Sequence, residues 1–149
     1  MTENLWMNRR PPEVSATSSI IWQAAPATFA ELSGHRARLR SLVLGTPSPG
    51  MSGGDGLHRL LLAFEELGSN GLRHGRPPVQ VTVTATGPGW VLDVTDAAVD
   101  RPPSPAVGRD AAEGGLGLYL IARIASGHGW DVRDGRKHVW ACIDFAMKA

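Results

Sequence analysis

The sequence predicts an α/β (α+β) two-layer sandwich, a mixed and mostly antiparallel sheet covered on one face by three helices. Two observations carry most of that prediction. Val79, Val81, Val83 and Ala85 alternate with polar residues, Trp90, Leu92 and Val94 alternate after the Gly-Pro-Gly turn, and a second alternating pair closes the chain. Elsewhere apolar residues recur at spacings of three and four, the period of a helix that buries one stripe. Strands with one apolar face and helices with one apolar stripe must bury those surfaces against each other. A chain of 149 residues has room for one such core, so residues 20–149 are expected to form one domain behind a flexible leader over 1–19.

The leader is expected to be mobile because Pro11, Pro12 and a Ser/Thr cluster interrupt it and no apolar periodicity runs through it. A short apolar run at Ile20 to Trp22 opens the structured part. Thr28 followed three residues later by Glu31 has the form of a capping box, and Phe29, Leu32, Arg36, Leu39 and Val43 then lay out a helix ending near Gly45. Pro47, Pro49, Gly50, Gly53 and Gly54 break the chain before a second helix begins near Asp55. Leu57, Leu60, Leu61, Phe64 and Leu67 form its apolar face; Arg59, Glu66, Asn70 and Arg73 fall on the other side, and Gly75, Pro77 and Pro78 end it.

After the first hairpin, Asp96 continues the phase of Trp90, Leu92 and Val94, which aims a carboxylate the way the buried side chains point. Residues 97–114 lack periodicity and have the length at which a loop is usually a lid or a disordered segment. A third helix opens at Gly115 to Gly117 and runs through Leu118, Ile121, Ala122 and Ala125. The closing hairpin joins Trp130 and Val132 to Val139, Ala141, Ile143 and Phe145 through Asp134-Gly135.

Composition removes several function classes. Hydrophobic residues make up 42% and charged residues 19%, a globular balance, and the formal net charge of +1 comes without a basic stripe, so no nucleic-acid partner is expected. No apolar run is long enough to cross a bilayer and no signal peptide is visible, so no membrane partner and a cytoplasmic location are expected. Cys142, the single cysteine, reads as a small buried residue, and the five histidines show no zinc-ligand spacing.

Chemistry concentrates in three places. Glu66 and Asn70 stand four residues apart on the second helix, so a carboxylate projects beside an amide oxygen; a general base next to a Mg²⁺ ligand needs such a pair, and so does an ordinary solvated helix face. Asp96 points inward from a strand end, where a carboxylate is costly without a dedicated donor. Gly114, Gly115 and Gly117 open a helix, which lets backbone N–H groups and the helix dipole meet a phosphate, although a plain turn also uses glycines.

Together these residues resemble the GHKL (histidine kinase-like) ATPase superfamily over roughly residues 20–146. Glu66-x-x-x-Asn70 looks like the N box, Asp96 like the acid of the first glycine box, and Gly115-Leu116-Gly117 like the second. The short chain and its closing strand look most like the bacterial anti-sigma-factor serine/threonine kinases. The resemblance implies a Bergerat-type ATP-binding fold, with ATP and Mg²⁺ as cofactors. It implies Glu66 as general base, Asn70 as Mg²⁺ ligand, Asp96 as acceptor for the adenine amino group, and Gly114, Gly115, Leu116 and Gly117 at the phosphates. It implies protein partners: a sigma factor that is sequestered, an antagonist that is phosphorylated, and a second copy in a homodimer. Two features depart from the pattern. Ala97, Ala98, Val99 and Asp100 follow Asp96 where D-x-G-x-G is usual, and no arginine accompanies the second glycine box, leaving Arg109 in the lid as the nearest cation. The alternative is an interaction module that keeps the fold and has lost transfer; a histidine-kinase catalytic domain is disfavoured by the absence of a phosphoacceptor helix pair.

Overall fold

A computed structural model of the chain describes residues 6–13, 17–46, 55–103 and 116–146. In chain order the elements are β1 (Ser19–Ala24), α1 (Phe29–Leu44), α2 (Asp55–His74), β2 (Gln80–Ala85), β3 (Gly89–Asp96), α3 (Leu116–Ile124), β4 (Gly127–Arg133) and β5 (Arg136–Asp144). The strands form one open sheet in the order β1-β2-β3-β5-β4, with every neighbouring pair antiparallel. The sandwich expected from the sequence is therefore the observed architecture. The only parallel pairing among the described residues is an isolated bridge from Asn8 to Trp130.

Local chemistry sets the boundaries. The Thr28 hydroxyl accepts the Glu31 N–H at 3.1 Å and caps α1, as the Thr28/Glu31 spacing predicts. Asp134 and Gly135 both have positive φ, 53° and 73°, which gives the β4–β5 hairpin the twist its strands need. Gly89 approaches β5 so closely that a β-carbon there would overlap the Ile143 carbonyl, so the strand can start beside β5 only on glycine.

The core lies between the sheet and the helices. Val81, Val83, Leu92, Val94, Val139, Ala141 and Ile143 meet Leu57, Leu60, Phe64 and Leu67 of α2 and Leu118 and Ile121 of α3. Helix α1 packs chiefly on α2, where Gly68 admits Leu32. Being enclosed by α1, α3 and the sheet, α2 buries more than one stripe. Arg59, expected on its polar face, is buried and donates to the Asp144 carbonyl at 2.9 Å. Phe29, counted with the apolar face of α1, is instead exposed, with the Arg73 guanidinium 5.4 Å from its ring centre.

The leader departs most from expectation. Trp6 is 0% exposed, and its indole Nε1 donates to the Leu118 carbonyl at 3.0 Å. Its ring also packs on His128, 4.9 Å between centres. Trp130 donates its N–H to the Met7 carbonyl and Arg9 donates its own to the Trp130 carbonyl, so residues 6–9 line the β4 edge. Trp140 Nε1 then donates to the Arg9 carbonyl at 3.0 Å. A mobile leader over 1–19 does not hold for this stretch, because an edge strand and a cavity the size of an indole give it backbone partners and burial.

Candidate functional site

Glu66 and Asn70 lie one turn apart on α2, both half-buried, on the side that faces the start of α3 and the loop after β3. Glu66 rests against the Gly117 backbone: a β-carbon on Gly117 would overlap Oε2 of Glu66. The glycine at this position thus makes room for the carboxylate, and Glu66 meets in space the segment expected to be the second glycine box. Arg109, Gly114 and Gly115, with residues 104–114 of the expected lid, lie outside the described residues. Leu116 opens α3 as the sequence suggests.

Burial drives the Glu66 carboxyl above the ordinary glutamate range; Glu65 adds to the rise and Arg73 opposes it. The folded protein therefore holds this proton more tightly than the unfolded chain does. The resulting stability is fully present below the unfolded pKa and is lost as pH rises through the folded one. An NMR titration is expected to place Glu66 above the ordinary glutamate range. Arg73→Ala should raise it further, because an opposing positive charge is removed; a downward move would contradict the assigned cause.

Asn70 opens on a cavity of about 190 Å³ that it lines with Arg73, His74, Arg101, Pro102, Pro103 and Lys137. Three cationic side chains and an amide at one small cavity suit an anion. Arg73 on α2 and Arg101 on the loop after β3 are thus the two arginines that share a cavity with Asn70.

Asp96 points inward as its phase predicts and is 1% exposed, yet its carboxylate is already engaged. Oδ1 accepts the Ala98 N–H at 2.7 Å, and Lys137 Nζ lies 3.4 Å from Oδ2. A β-carbon on Gly75 would lie 2.6 Å from Oδ2, so the carboxylate also needs the bare backbone of Gly75 beside it. Sequence reasoning missed Lys137. The signal was present: Lys137 shares the alternation of Val139, Ala141 and Ile143, and so points toward the helices as they do.

The loop after Asp96 is tied down as far as it is described. Ala97 donates to the Arg76 carbonyl at 2.9 Å, Arg101 reaches the His74 carbonyl at 3.2 Å, and Ala98 and Pro103 are buried. At about 190 Å³ the cavity is smaller than the roughly 300–1,000 Å³ usual for small-molecule sites. Its cations suit a phosphate or another anion, whereas Asp96, the expected acceptor for an adenine amino group, is buried under the chain's own atoms.

Larger clefts elsewhere hold none of the sequence-predicted residues. One, between the end of α1 and the sheet, is apolar and lined by Ile21, Leu42, Val43, Ala85, Trp90 and Phe145. Another borders Cys142, which is half-buried rather than fully buried; burial, with Asp144, pushes its thiol up to about 11, leaving it a poor nucleophile. No described helix is long and apolar enough to cross a membrane.

A comparison with curated proteins returns no match. A family model of the histidine kinase-like ATPase domain matches residues 26–143, a span that contains Glu66, Asn70, Asp96 and Gly117. The match covers most of the chain and agrees with the sheet order, the three helices and the meeting of Glu66 with Gly117, so the chain belongs to the histidine kinase-like ATPase (GHKL) family.

Proposed function

We propose that the chain is an ATP-binding regulatory protein that captures a protein partner and phosphorylates a serine or threonine of an antagonist protein. The observation that carries the nucleotide part is the juxtaposition of Glu66, Gly117, Asn70 and a cationic cavity at one end of α2. Arg73, Arg101 and Lys137 would hold the phosphates and Asn70 a Mg²⁺ ion. Among the described residues no three His, Cys, Asp or Glu side chains cluster as metal ligands. Mg²⁺ at Asn70 would therefore take most of its oxygens from water and phosphate, as this ion commonly does.

Glu66 is suited to accept a proton from an incoming hydroxyl, because it is half-buried with a raised pKa and so binds a proton more readily than a solvated carboxylate. The identity of the partners as a sigma factor and its antagonist, and a homodimeric state, rest on the resemblance to anti-sigma-factor kinases. Asn70→Ala is expected to weaken Mg-ATP binding while leaving metal-free ATP binding little changed, measured by calorimetry with Mg²⁺ and with a chelator. Equal losses in both conditions would remove Asn70 from the metal.

A second reading, a non-catalytic interaction module, is favoured by one observation: the expected adenine acceptor Asp96 is already paired with Lys137. Phosphate transfer and partner capture, assayed side by side, separate the two readings.

A further inference from the structure

Asp96 and Lys137 are register partners at the paired ends of β3 and β5, 1% and 2% exposed. The ammonium lies 3.4 Å from Asp96 Oδ2 and donates to the Arg101 carbonyl at 2.8 Å. Lys137 also lines the cationic cavity, which Asp96 does not, so the pair joins that cavity to the buried carboxylate. A buried ion pair at the foot of a ligand cavity is costly to assemble, and removing either partner alone leaves the other charge uncompensated.

We propose that Lys137 is a latch on the nucleotide site: it occupies the carboxylate acceptor that a purine base needs, and gives it up only to a ligand that replaces both halves of the pair. This rests on the reading of the chain as a nucleotide-binding protein. Such a ligand must bring an N–H donor for Asp96 and a negative charge to receive the displaced ammonium. A nucleoside phosphate carries both, while a nucleoside carries only the donor. The receiving end is prepared, because Arg73 and Arg101 share the cavity with Lys137. Release also frees the Arg101 carbonyl, so opening the latch loosens the turn from Ala98 to Arg101, whose Ala98 N–H donates to the same carboxylate.

Adenosine isolates the latch, since it cannot pay Lys137 back with a phosphate. Calorimetry with adenosine and with Mg-ATP is run on the unmodified chain, on Lys137→Met and Lys137→Gln, and on each variant combined with Asp96→Asn. Adenosine is expected to bind Lys137→Met roughly tenfold or more tightly than the unmodified chain, the scale of one charge-assisted hydrogen bond. Lys137→Gln, which keeps a neutral donor, should fall between, and the gain should vanish once Asp96 is replaced. Circular dichroism checks folding. Should the buried carboxylate unfold Lys137→Met, the Gln variant, which keeps a neutral donor, decides.

Adenosine binding that is unchanged or weaker in the folded Lys137 variants, while the unmodified chain binds Mg-ATP, overturns the latch and leaves the nucleotide reading standing. No binding of either ligand by any folded chain overturns both.

Discussion

Trp6→Ala is expected to lower the stability of the fold by about 3–5 kcal/mol, the usual cost of truncating a fully buried tryptophan. The size follows from three losses. The indole is 0% exposed and sits between α3 and β4, so its removal opens a cavity in the core. The Leu118 carbonyl loses the donor it has at 3.0 Å. The neighbouring backbone bonds between Met7, Arg9 and Trp130 then lack the anchor that holds residues 6–9 against the sheet edge. Because domains are stable by only about 5–15 kcal/mol, the loss is a large fraction of the total. Urea denaturation monitored by circular dichroism measures it. Trp6→Phe, which keeps most of the apolar volume and loses the N–H, should cost less. A Trp6→Ala change within about 0.5 kcal/mol of the unmodified chain, the range of ordinary surface substitutions, would mean that the segment is not docked in solution.

That segment also marks where the sequence stops being legible. Strands β2, β3 and β5 follow from alternation, and α2 follows from its spacing, because each pattern reports a local periodicity with one buried face. Asp96 was readable for the same reason, being in phase with Trp90, Leu92 and Val94. Trp6 has no such neighbours. Its burial depends on contacts with Leu118 and His128 far along the chain, and no local pattern encodes a partner at that separation. Arg59 was misplaced because a two-sided picture of α2 leaves out the end of β5, where the Arg59 guanidinium donates to the Asp144 carbonyl. Glu66, Asn70 and Gly117 were legible as residue types at fixed spacings, and the structure adds that Glu66 and Gly117 touch. Lys137 lay in plain phase with Val139, yet its pairing with Asp96 depends on the β3–β5 register, which the sequence did not specify.

On the proposed kinase reading, Glu66→Ala is expected to cut phosphate transfer by about 10² to 10⁴, the usual contribution of a general base, while leaving ATP affinity little changed. The two effects separate because Glu66 lies against Gly117, whereas the cavity with the cations is reached from Asn70 one turn further along α2. Loss of the carboxylate removes a proton acceptor and leaves Arg73, Arg101 and Lys137 in place. Gly117→Ala approaches the same site from the other side. Its β-carbon would overlap Oε2 of Glu66, so the carboxylate must move, and transfer should fall although no titratable group is lost. In the unmodified chain the rate should rise with pH along a limb lying above the ordinary glutamate range, because only ionised Glu66 can take the proton and burial raises its pKa. Labelled ATP, Mg²⁺ and a serine-containing partner make the assay, run beside a binding measurement with the same partner. Tight capture with no transfer by the unmodified protein at saturating ATP and Mg²⁺ would sink the kinase reading, and would leave Glu66 as a residue that packs Gly117 in an interaction module.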